Sequence, residues 1–116
     1  MSVSIVGSSA VALTPLLTNA QTGTTYTFVL TDANNTIVEL SNASAITATI
    51  PLNSSVAFPI GSQIQLLQTG AGQVTVAAGG TTLNGTPGLK LRAQWSSATL
   101  VKRGTDTWVL IGDLSA

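Results

Sequence analysis

Apolar and polar residues alternate with a period of two along most of this chain, in short runs, and that pattern leaves little room for anything but β-structure. Successive side chains on a strand point to opposite faces, so strict alternation marks a strand with one buried side. Tyr26, Phe28 and Leu30 fall on one side of their run, with Thr25 and Thr27 on the other. Ile46, Ala48 and Ile50 oppose Thr47 and Thr49; Ile64 and Leu66 oppose Gln63 and Gln65; Val74 and Val76 oppose Gln73 and Thr75. Leu89 and Leu91 alternate with Lys90 and Arg92, which places two cations on one solvent-facing side. The closing pair, residues 98–102 and 107–111, is apolar on both faces apart from its threonines.

Turn residues separate these runs. Asp32-Ala33-Asn34-Asn35 joins two of them, and asparagine accepts the positive φ that tight hairpins need, so a hairpin is expected there. Gly70-Ala71-Gly72 and Gly79-Gly80 bracket the Val74 run, Thr86-Pro87-Gly88 precedes Leu89, and Arg103-Gly104-Thr105-Asp106 joins the last two. Short strands at this spacing predict an all-β fold, either an antiparallel β-sandwich or a small barrel with an extended N-terminal arm. The arm is read as residues 1–20 and the single β domain as 21–116, since 116 residues hold one core of useful size. The best helical stretch, residues 11–18, is weakened by Pro15 and β-branched neighbours. Strand lengths and turns differ from run to run, so no fixed solenoid period emerges.

Charge is scarce: 7% of residues are charged, against roughly 25% in ordinary soluble domains, and four basic residues balance four acidic ones. Little repulsion keeps copies apart, which favours oligomerisation. Four cations form no phosphate-binding stripe and no polybasic membrane contact, so neither nucleic acid nor membrane is an expected partner. Export signals are not apparent, and a soluble protein made in a cytoplasm is expected.

The chain has no histidine and no cysteine, which removes nucleophile-histidine pairs, thiolate metal sites and disulfides together. Catalytic residues, metal ligands and cofactors are therefore all expected to be none, and the chain reads as not an enzyme. Its carboxylates are Asp32, Glu39, Asp106 and Asp113; turn capping and solvation are preferred for them over a glycosidase pair. Lys102-Arg103 is expected to pair with Asp106 as a surface ion pair across the last turn. The glycine clusters lack phosphate-loop order, and the Asn-x-Ser/Thr sequons at Asn34, Asn42, Asn53 and Asn84 are ordinary for a chain this rich in Ser and Thr. Trp108 lies in an apolar run and reads as core; Trp95, between Gln94 and Ser96, reads as exposed or interfacial.

From Thr25 onward the chain resembles a β-rich structural module of tailed-bacteriophage virions. The resemblance rests on the order of four motifs: Thr49-Ile50-Pro51 ending a Thr-rich strand, a Phe-Pro-x-Gly turn from Phe58 to Gly61, the GAGQVTV strand from Gly70 to Val76, and the terminal ATLVKRGTDTWVLIGDL from Ala98 to Leu114. It implies a structural role in tail fibres, spikes or capsid-surface proteins, assembly as a homotrimer, and no catalytic residues. A short copy fits a capsid decoration (cement) protein that clamps adjacent major-capsid subunits on the virion surface after synthesis in the host cytoplasm. Val11, Leu13, Leu16 and Leu17 are the apolar candidates for capsid or subunit contact. The alternative is a receptor- or glycan-binding fibre tip, with Trp95 against a host surface glycan.

Overall fold

The computed structural model describes residues 13–116, and within them the protein is almost entirely β-structure. Eleven strands follow in order: β1 (Leu17–Gln21), β2 (Thr25–Thr27), β3 (Thr36–Leu40), β4 (Ile46–Thr49), β5 (Gln63–Gln68), β6 (Val74–Ala77), β7 (Thr82–Gly85), β8 (Lys90–Leu91), β9 (Ser97–Gly104), β10 (Thr107–Gly112) and β11 (Leu114–Ser115). They form a six-stranded sheet, β1-β3-β5-β9-β10-β7, and a five-stranded sheet, β11-β8-β6-β4-β2.

The all-β expectation holds, but the pairing differs from the antiparallel one expected. Up to β6 the chain crosses from one sheet to the other at each strand and returns parallel to where it left. β1, β3 and β5 run parallel in one sheet, and β2, β4 and β6 run parallel in the other. The arrangement is β-solenoid-like, and not clearly a sandwich or barrel. Antiparallel pairing enters later: β9 lies against β5 and β10, and β8 against β6 and β11. Alternation reports which face of a strand is buried and is the same in either sense of pairing, so it could not decide between them.

The hairpin expected at residues 32–35 does not form. Leu30–Ala33 is a short 3-10 turn that carries the chain from β2, which pairs with β4, to β3 in the other sheet. Leu30 consequently points outward and is 53% exposed, whereas Phe28 stays buried. The turn expected at residues 103–106 does join the last two runs, and β9 and β10 pair antiparallel across it, with a register shift at Thr107 and Trp108.

Between the sheets the inward positions of the alternating runs meet. Ile46, Ala48, Ile64, Leu66, Val74 and Val76 are each at most 1% exposed, and Trp108 closes the core under β10. Each such Ile, Leu or Val side chain contributes about 1.5–3 kcal/mol by leaving water. Gln68 is buried at the end of β5 with both amide ends engaged: its Oε1 accepts from the Val74 N–H and its Nε2 donates to the Gly70 carbonyl. That polar bridge fixes β5 to the start of β6. Residues 17–20, read from sequence as part of the arm, form most of β1.

Candidate functional site

Two exposed features stand out on this frame, one on the first strand and one on the turn before β9. Leu13, Leu16 and Leu17 are 84%, 47% and 59% exposed, and all three lie at or just before β1, an edge strand of the six-stranded sheet. Val11 lies outside the described residues. Asn35 holds this segment in place: its Nδ2 donates to the Pro15 carbonyl at 2.8 Å, and its own carbonyl accepts from the Leu17 N–H at 2.8 Å. Asn35 sits at a φ of 52°, in the left-handed region that asparagine tolerates better than most residues. Leu16 also lines a shallow cavity of about 330 Å³ with Asn35, Thr36, Gln63 and Gln65. Among the described residues β1 has β3 as its one strand partner, which leaves alternate backbone N–H and C=O groups along its other edge for an added strand.

Trp95 is 67% exposed, as its sequence context suggested, and its backbone is in an unusual state for a bulky residue, with φ at 72°. Strain of that kind costs on the order of 1–3 kcal/mol and persists only where surrounding bonds hold it. Here they are dense. The Trp95 N–H donates to the Gln68 carbonyl at 2.7 Å, Gln94 Nε2 to the Thr69 carbonyl, and the Ala93 N–H to Ser96 Oγ. Ser96 Oγ in turn donates to Asp113 Oδ2 at 2.7 Å, and Asp113 takes two further nitrogens from Arg92. The result is a fixed turn with an indole facing solvent. Trp108, by contrast, is 1% exposed and packs edge-on against Phe58, so its reading as core holds.

The carboxylates are engaged in ways the sequence did not suggest. The expected pairing of Asp106 with Lys102-Arg103 is replaced by another arrangement. Asp106 Oδ1 accepts from the Asn53 N–H, Lys102 is buried, and the ion pair among the described residues is Arg92 with Asp113. Hydrogen bonds from Arg92, and after them from Ser96, hold the Asp113 carboxyl below the usual carboxylate range. Asp32 is 1% exposed and accepts from Asn19 Nδ2, the Tyr26 hydroxyl and the Val29 N–H. Burial, reinforced by the bond to Asp32, pushes the Tyr26 hydroxyl above the usual tyrosine range. Among the described residues no group of three or more acidic side chains gathers where it could hold a metal ion.

Lys102 is the residue that sequence reasoning misplaced most. The signal was there: Ala98, Leu100 and Lys102 share one side of β9, and the first two are buried. No family model matches the chain, and no curated protein matches it.

Proposed function

We propose that this protein is a bacteriophage virion structural protein that acts by binding: a homotrimeric capsid decoration protein clamping adjacent major-capsid subunits on the virion surface. The sequence resemblance described above supports the class. The observation that carries the site is the exposure of Leu13, Leu16 and Leu17 at β1, an edge strand among the described residues. An apolar segment next to an unpaired strand edge offers both burial and main-chain hydrogen bonds to a partner surface. No step in this role is chemical, and no cofactor enters it.

Replacing Leu13 and Leu16 together by aspartate tests the reading, because neither is buried and the fold is expected to survive. Co-sedimentation of the variant with empty capsids should fall to background. Binding equal to that of the unaltered protein would overturn the clamp.

A second reading, a glycan- or receptor-binding fibre tip, is favoured by one specific feature, the strained and exposed Trp95. Stacking of a sugar ring on the indole is the chemistry such a turn offers. On this reading Trp95→Ala abolishes glycan binding and leaves capsid binding unchanged.

A further inference from the structure

Lys102 carries its amine into the interior and donates it to neutral oxygens there. The residue is 2% exposed, and its Nζ donates to Asn53 Oδ1 at 2.7 Å and to the Phe58 carbonyl at 2.7 Å. The ring centroid of Trp108 lies 5.9 Å from the same nitrogen, and Phe58 stands edge-on to that ring at 5.5 Å. No carboxylate is within ion-pair distance of Lys102 among the described residues. A buried ammonium ordinarily has a carboxylate partner. This one has a carboxamide.

The backbone that carries this carboxamide is fixed as well. The Asn53 N–H donates to Asp106 Oδ1 at 2.8 Å, and the N–H groups of Ser55 and Val56 close a turn onto the Leu52 carbonyl. Asp106 is thus a positioning residue for Asn53. A primary amine and a carboxamide, 49 residues apart in the chain, are held in contact with an aromatic wall on the amine side.

We propose that Lys102 and Asn53 form an intramolecular isopeptide bond. Lys102 Nζ, as the free amine, attacks Asn53 Cγ; the Cγ–Nδ2 bond breaks, and the departing nitrogen leaves as ammonia. Starting from the ammonium, one of its protons goes to the departing nitrogen and a second leaves with it, so the products are a secondary amide and one ammonium ion. No oxidant, metal or cofactor is needed. Fixed contact replaces a bimolecular encounter, and a water-excluded amine side disfavours the competing hydrolysis of the carboxamide. Asn53 is half-buried, which gives the ammonia a path to solvent. The bond staples the strandless connection from residue 50 to 62, which links β4 to β5, onto β9. A chain with no cysteine has no disulfide to do this.

Intact mass spectrometry of the purified full chain, after incubation at neutral pH, reads the bond directly. The mass should be lower than the sequence mass by one ammonia, about 17 Da, and a protease digest should give a branched peptide joining the Asn53 and Lys102 fragments. Asn53→Ala should restore the full mass. Since a change at buried Lys102 risks unfolding the chain, the second variant is Asn53→Asp. It keeps the side-chain shape and should give the same amide with loss of one water, about 18 Da. A folded protein at its full sequence mass overturns the proposal. So does an ammonia loss that maps instead to Asn84-Gly85, where a succinimide would produce the same change.

Discussion

Tyr26 donates its hydroxyl hydrogen to Asp32 Oδ2 at 2.6 Å, and Asn19 ties the pair together by donating to the Tyr26 oxygen at 2.8 Å and to Asp32 Oδ1 at 2.9 Å. The three side chains come from β1, β2 and the 3-10 turn, so this cluster fastens the first rung of the stack to itself. Burial and the neighbouring carboxylate raise the Tyr26 pKa in the folded state above its unfolded value. Its contribution to stability is therefore complete below the unfolded pKa of about 10 and is lost as pH rises beyond it. Denaturant unfolding should show stability falling above about pH 10, and Tyr26→Phe should flatten that alkaline fall. At pH 7 the same variant leaves Asp32 short of a donor and should cost about 1–3 kcal/mol.

The acid side has the opposite sign. Asp113 is held below its unfolded pKa by Arg92 and Ser96, so its contribution is present above about pH 4 and is lost as pH falls. Asp113→Asn should flatten the acid limb of a Tm-against-pH curve. With no histidine in the chain, that curve should stay level between about pH 5 and pH 9.

Gly72 and Gly23 should respond in opposite ways to alanine. A Cβ on Gly72 would lie 1.9 Å from the Ser44 carbonyl oxygen, a backbone atom with nowhere to go, whereas one on Gly23 meets nothing closer than 3.5 Å. Gly72→Ala should cost about 1–3 kcal/mol or more, and Gly23→Ala should stay within about 0.5 kcal/mol of the parent, both read by denaturant unfolding.

Trp95→Gly tests whether the exposed indole is there for stability or for binding. Glycine adopts a φ of 72° without strain, and little buried area is lost from a side chain that is mostly solvent-facing. The variant should melt at or above the parent temperature. A marked fall in Tm would assign Trp95 a structural role and remove the argument for a binding turn.

The inward sets on β4, β5 and β6 were legible because alternation alone fixes them: Ile46 and Ala48, Ile64 and Leu66, Val74 and Val76 all lie in the core. Strand partnership was not. Parallel neighbours meet from Leu17 to Thr36 in one step and from Ile37 to Gln65 in the next, about 19 and about 28 residues, so a stacked architecture leaves no fixed period in the sequence. Asp32 read as a solvated turn residue because its partners, Asn19 and Tyr26, come from other strands. Lys102 carries two conflicting signals: its nearness to Asp106 across the turn argues for a surface ion pair, whereas the alternation of β9 turns it inward, and burial wins. Exposure of Leu13, Leu16, Leu17 and Trp95 followed directly from their context.

The number of copies of this protein per purified particle, measured by quantitative mass spectrometry against the major capsid protein, tests the decoration reading most directly. Shell-wide binding under closed symmetry predicts a ratio within a few-fold of one, on the order of hundreds of copies per particle. A ratio near about one in a hundred would contradict it and place the protein at a few symmetric positions on the tail.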